Sequence, residues 1–254
     1  MNKKIEVLIE VLIDKYELTH LKEELINTVF PCIKVVPKQQ GTVAIGSSKM
    51  GGVPDLPALF EYPKHKGNPL QFIAQFNLSD LQNVGMDHNL PKTGMLYFFC
   101  IENYFEENVN LTEAGRVLYY DVPVEQLRRE NEIQAKYNQC AITFELTYKL
   151  PELFIEDEAD SDRFLQLLEE LIPDNYDNHQ MFGEPFSVQE EVLYETGEYM
   201  GVDPQQMTLL FQIDSDHKNC NMVWGELGML YFCISNEDLK NQRFENTCCV
   251  LQTC

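Results

Sequence analysis

Gly94-Met95-Leu96-Tyr97-Phe98 returns, 134 residues later, as Gly228-Met229-Leu230-Tyr231-Phe232. Each block is apolar nearly throughout and too short for a helix. Its aromatic content and leading Gly read as a strand buried on both faces. Three more blocks recur in the same order. Lys49-Met50-Gly51-Gly52-Val53-Pro54 matches Gln180-Met181-Phe182-Gly183-Glu184-Pro185 at Met, the second Gly and Pro, an offset of 131. Phe72-Ile73-Ala74-Gln75-Phe76-Asn77 aligns with Leu209-Leu210-Phe211-Gln212-Ile213-Asp214, an offset of 137. Val117-Leu118 aligns with Val250-Leu251, an offset of 133. Four collinear blocks predict two copies of one unit, about 49–121 and 180–252, because periodic self-similarity is the mark of a repeated architecture.

The expected fold class is α+β: two related β-rich halves with pseudo-twofold symmetry, flanked by helices at the N-terminus and between the copies. The chain reads as one domain, 1–254. Residues 1–35 are N-terminal helices, 36–150 a first half with a trailing helix and strand, and 151–254 an acidic connector helix with the second half. Ile5, Leu8, Ile9, Leu12 and Ile13 form one helical stripe. Thr19 is placed to cap a second helix, Leu21 to Val29, which Pro31 ends. Val124 to Ala135 reads as a short charged helix, Ala141 to Leu150 as an alternating strand and Asp160 to Ile172 as a helix closed by Pro173. The paired Gly-Met-Leu-Tyr-Phe strands are expected near the symmetry axis.

The 254 residues carry 19 Lys+Arg against 41 Asp+Glu, a net charge of −22. The imbalance is local. Residues 1–149 hold 15 basic and 19 acidic side chains, whereas 150–254 hold 4 and 22. An acidic body repels phosphate backbones, so no nucleic-acid partner is expected. The acidic half suits a basic protein partner. No apolar run approaches the length of a membrane span, and Glu6 and Glu10 interrupt the N-terminal apolar stretch, so no membrane partner and a cytoplasmic location are expected. The 8 Cys show no C-x-x-C spacing and no finger-like His partner, and read as reduced, buried thiols.

The side chains with chemistry gather near the repeated blocks. Gln75 and Gln212 occupy the same slot of two apolar strands and must find hydrogen bonds there. Asp214-Ser215-Asp216 follows one of those strands, with Trp224-Gly225-Glu226 a short loop later. The pair of acids suggests a hard-cation or acid/base site, yet Lys218, Asn219 and Cys220 replace the ligands and glycine a calcium loop wants; an Asx turn fits better. His179 stands where the first copy has Ser48. Gln75, His179, Gln212, Asp214, Asp216, Trp224 and Glu226 are therefore the ligand-binding candidates, and the alternative to a partner-binding module is a small-ligand-binding protein or an enzyme that uses a groove between the halves. No His-Glu-x-x-His, Gly-x-Ser-x-Gly or P-loop spacing occurs, so no catalytic set, metal or cofactor is expected. Tyr97, Phe98, Phe99, Tyr104, Phe105, Tyr119 and Tyr120 lack a surrounding basic stripe and read as packing residues.

Together these blocks resemble the YwqG-like family, a bacterial domain of unknown function. The resemblance rests on Gly51-Gly52-Val53-Pro54-Asp55-Leu56-Pro57, on Pro69 to Leu78, on Leu90-Pro91 with Gly94 to Phe99, on His179 to Gly183, on Leu210 to Asp216, and on Met222 to Glu226 with Gly228 to Phe232. It spans about 35–254. The family's tryptophan motif usually reads Trp-Gly-Asp; here it is Trp224-Gly225-Glu226. The resemblance implies a soluble bacterial α+β protein of two related halves and no established activity. Toxin-gene neighbours of some relatives extend the implication to an immunity-like role.

Overall fold

In a computed structural model, residues 3–38, 41–102, 110–171, 178–225 and 227–253 are described. Helix α1 (Lys3–Lys15) and α2 (Lys22–Thr28) precede β1 (Phe30–Pro37), β2 (Lys49–Met50) and β3 (Asp55–Pro57). A small β4 (Lys64–His65) and β5 (Asn68–Pro69) hairpin leads into β6 (Gln71–Asn77), β7 (Met95–Cys100), α3 (Leu111–Ala114) and β8 (Gly115–Tyr120). Then come β9 (Leu127–Arg129), β10 (Cys140–Lys149), α4 (Glu158–Leu171), β11 (Gln180–Met181) and α5 (Val192–Met200). The chain continues with β12 (Met207–Asp214), β13 (Met229–Ser235), α6 (Asn236–Lys240) and β14 (Cys248–Gln252).

Ten strands make one antiparallel sheet in the order β14-β13-β12-β11-β1-β10-β2-β6-β7-β8. The order has a mirror in it. On each side of the central β1–β10 pair stands a two-residue strand, then the strand with the buried Gln, then the Gly-Met-Leu-Tyr-Phe strand, then an edge. The registers correspond: Lys49 faces Gln75 as Gln180 faces Gln212. Both Gln strands carry a register irregularity, at Phe72/Ala74 and at Leu209/Phe211. The central strands obey the same relation, since Cys140–Ala141 pairs with Met50–Lys49 and Ile33–Lys34 with Met181–Gln180.

The two edges meet, so the sheet is nearly closed: α3 packs on β14, and a Cβ at Gly115 of β8 would lie 2.4 Å from that of Cys249. Inside, Phe76 touches Phe211 (4.9 Å between centroids) and Phe98 touches its own counterpart Phe232 (5.1 Å). These rings are fully buried, and each contributes about 2–3 kcal/mol of hydrophobic stabilisation. Alternation along the strands turns Gln75 and Gln212 outward, away from that core. A second apolar cluster lies among Ile9, Leu12 and Ile13 of α1, Leu25 of α2 and Phe164, Leu167 and Leu168 of α4. Helix α5 covers the outer face of β12 and β13 through Val192.

Three local expectations are corrected. Residues 124–135 form no helix: after Pro123 a 3-10 turn (Val124–Gln126) gives way to β9, whose Leu127 is buried and whose Arg129 sits opposite Asp55 on β3. The second helix stops at Thr28, and Pro31 lies inside β1 instead of ending a helix. Thr19 does not cap α2; its hydroxyl donates to Asp14 Oδ1, and Leu21 stands at the N-cap without a side-chain bond.

Candidate functional site

Each short strand enters the sheet through a turn the residue chemistry dictates. Gly51 and Gly52 have φ of 62° and 71°, and Phe182 and Gly183 have 61° and 69°. Glycine reaches this region without penalty; a Cβ on Gly51 would lie 2.0 Å from the carbonyl oxygen of Asn138. Phe182 adopts the same strained backbone as a bulky residue, and its ring stacks on His88 with centroids 5.9 Å apart.

Beyond each turn a bracket of side chains grips one backbone unit. In the first half, Asp55 N donates to Gln75 Oε1 (2.8 Å) while Tyr97 OH donates to Asp55 O (2.5 Å). In the second, Phe186 N donates to Gln212 Oε1 (3.1 Å) and Tyr231 OH to Phe186 O (2.6 Å). The amide nitrogens correspond as well: Gln75 Nε2 donates to Ser47 O (2.9 Å), Gln212 Nε2 to Asn178 O (2.9 Å). So do the residues before the short strands. Asn77 N donates to Ser48 Oγ (2.8 Å), and Asp214 N to His179 Nδ1 (3.0 Å).

The charges differ. In the first bracket Asp55, fully buried, meets Lys49 Nζ at 3.2 Å, Arg129 Nε at 2.8 Å, Gln75 Nε2 at 2.8 Å and Gly46 N at 3.1 Å. Burial pushes its carboxyl up, but Arg129, Lys49 and these donors outweigh it and hold it below the usual range. Burial pulls Lys49 down to about 8 against the pull of Asp55. The second bracket has Gln180 in the place of Lys49 and Phe186 in that of Asp55. Its cation arrives from the central strand: Lys149 Nζ donates to Asn178 Oδ1 and Gln180 Oε1, and burial lowers it to about 8.

The acids after β12 are turn-formers. Asp214 accepts from Ser215 N (2.7 Å) and Asn178 N (3.1 Å). Asp216 Oδ1 accepts from Lys218 N (3.0 Å) and Asn219 N (2.7 Å), and its Oδ2 from Cys220 N (3.4 Å). Burial raises Asp216, yet His179 and the Asn219 donors bring it down to about 2. With Nδ1 accepting, the His179 ring proton belongs on Nε2, 3.8 Å from Asp216 Oδ2. Trp224 is buried, edge-on to Tyr137, and its backbone N–H, not its indole, donates to Ser215 Oγ (3.0 Å). Glu226 lies outside the described residues.

The structure thus brings His179, Gln212, Asp214, Asp216 and Trp224 into one neighbourhood and puts Gln75 in the equivalent neighbourhood of the other half. Sequence reading missed Lys49, Asp55, Arg129 and Lys149. A lysine beside the apolar Met50, and an Asp inside Val53-Pro54-Asp55-Leu56, were the available signals. Among the described residues no group of three His, Cys, Asp or Glu is placed to hold a metal. No helix is long and apolar enough to cross a membrane among them. Burial pushes the Cys32 thiol up to about 11 and those of Cys100 and Cys248 to about 12, which removes thiolate character near neutral pH.

An α+β protein on one nearly closed antiparallel sheet, with polar brackets at corresponding places, is the class these features define. The chain belongs to a family described as a domain of unknown function (DUF1963), whose model matches residues 48–254. The match begins after α1, α2 and β1. No curated protein matches the chain in sequence.

Proposed function

We propose that this is a non-catalytic binding protein that presents the acidic face of residues 150–254 to a basic protein partner. The observation that carries the reading is the segregation of charge: 22 acidic against 4 basic side chains in that half. Glu156, Asp157, Glu158, Glu169, Glu190 and Glu198 are all exposed there. The ionisable groups of the two brackets are instead bonded to neighbouring backbone or side chains, an arrangement suited to holding loops. A YwqG-like assignment, a bacterial cytoplasmic setting and an immunity-like role are compatible with this reading.

A protein captured on the intact chain is expected to bind tightly at low ionic strength and weakly at high, since exposed charges farther apart than a Debye length of about 8–10 Å are screened. Glu169→Lys with Glu190→Lys should slow its association. A partner held equally well at both salt concentrations, and indifferent to the two reversals, would contradict the acidic face.

The same reading includes an origin by duplication. Its support is the correspondence of four sequence blocks, ten strand positions and four bracket bonds. In that account one unit supplies β1, β2, β6, β7 and β8, and the other β10, β11, β12, β13 and β14. Each unit's first strand lies beside the other unit's short strand, so the halves are exchanged across the central pair.

A further inference from the structure

We propose that the cleft beside Ser48 and Asp80 binds a small planar organic cation, a guanidinium or imidazolium on a short apolar stem. The cleft, about 490 Å³, lies where β2 ends after two residues and leaves the side of β10 opposite β1 without a paired strand beyond Ala141. Its volume falls within the roughly 300–1,000 Å³ typical of small-ligand sites. Val43, Ile142 and Phe144 provide apolar wall, Thr143 adds a hydroxyl, and Asp80 stands at the rim.

The other half shows what fits such a place. Ile142 N donates to Ser48 O (3.3 Å) as Val35 N donates to His179 O (2.9 Å), so the two positions correspond across the central pair. There the residue is His179, a fully buried imidazole whose Nε2 lies 3.8 Å from Asp216 Oδ2, beyond hydrogen-bond distance. Here the residue is serine. Ser48 Oγ accepts the same backbone bond and donates to Asp80 Oδ2 (2.7 Å), which aims an exposed carboxylate with no described ion pair beside the cleft. A planar N–H donor that enters the cleft meets the Asp80 carboxylate, which Ser48 holds in place. Planar forks match carboxylates with two bonds, and an apolar stem covers Val43 and Phe144.

Agmatine is the probe, followed through backbone-amide and methyl NMR shifts of the intact protein at physiological salt. Saturable shifts at Ala44, Ala141, Ile142 and Thr143 are expected. Loss of a charge-assisted bond in Asp80→Asn should weaken binding about tenfold or more. Thr143→Trp, at an exposed strand position, should block it by filling the cleft. Glu23→Gln, on α2, should change nothing. The proposal is overturned if the shifts spread over 150–254, if Glu23→Gln weakens binding as much as Asp80→Asn, or if both cleft variants, folded by their amide spectra, bind agmatine like the parent. Failure here leaves the acidic-face reading standing, because that reading is tested with a protein partner and with Glu169 and Glu190.

Discussion

Each bracket grips one backbone unit with two bonds and is tied to its surroundings by two more, yet the first is built around the Asp55 ion cluster and the second around Phe186 and Gln180, with Lys149 bonded to the Asn178 and Gln180 amide oxygens. Asp55, Lys49 and Arg129 in the first become Phe186, Gln180 and nothing corresponding to Arg129 in the second. The difference separates what the fold needs from what it tolerates. The Gln amide and the Tyr hydroxyl are common to both and satisfy backbone groups that burial would otherwise orphan. The Asp55–Lys49–Arg129 cluster stands in one half only, and once one partner is buried the others become obligatory.

That contrast sets the largest expected effect. Asp55→Ala leaves Lys49 buried without its anion and should cost about 3–5 kcal/mol. Phe186→Ala, at the corresponding but 40% exposed position, should cost less than about 2 kcal/mol, because only part of a ring leaves an apolar contact. Urea unfolding of the two variants checks the pair; equal losses would mean that the ion cluster is not what distinguishes the halves.

Next come the shared amides. Gln75→Leu orphans Asp55 N and Ser47 O, and Gln212→Leu orphans Phe186 N and Asn178 O. At about 1–3 kcal/mol for each buried group left unpaired, each variant should lose about 2–6 kcal/mol. The Gln75 variant should lose more, since Asp55 Oδ2 also loses a donor. Similar losses would sharpen the correspondence; a neutral Gln212→Leu would break it.

How much of this was written in the sequence follows from the range of each interaction. The Gly-Met-Leu-Tyr-Phe strands, the paired Gln slots and the turn acids were legible because each is decided within a few residues. β1 was not, because Pro31 is also a helix terminator, and its strand role depends on β10 and β11, more than a hundred residues away. Nor was β9: Leu127-Arg128-Arg129 is a strand because Arg129 reaches Asp55 across 74 residues. The brackets needed both partners in view, and Lys149 serves the second bracket from outside the repeated block.

Smaller effects lie in pH. Asp216 is held near 2 in the folded chain against an ordinary 3.8, so its stabilisation is complete above about pH 4 and is lost as pH falls toward 2. Asp216→Asn should flatten that acid limb. Lys149 is held near 8 against 10.5; the unfolded chain binds more protons between those values, so this group makes stability rise with pH across that window. Lys149→Met should remove its share of the rise. Unfolding midpoints measured against pH read both limbs.

Hydrogen exchange at single amides goes to the heart of the matter. If Gln75 and Gln212 perform one task twice, the N–H groups of Asp55 and Phe186 exchange slowly and alike in the parent chain, although Phe186 is largely at the surface. Gln212→Leu then exposes Phe186 N–H and spares that of Asp55. A Phe186 amide that exchanges as fast as an open loop, with Asp55 protected, would show that only one half carries the bracket and would contradict the account.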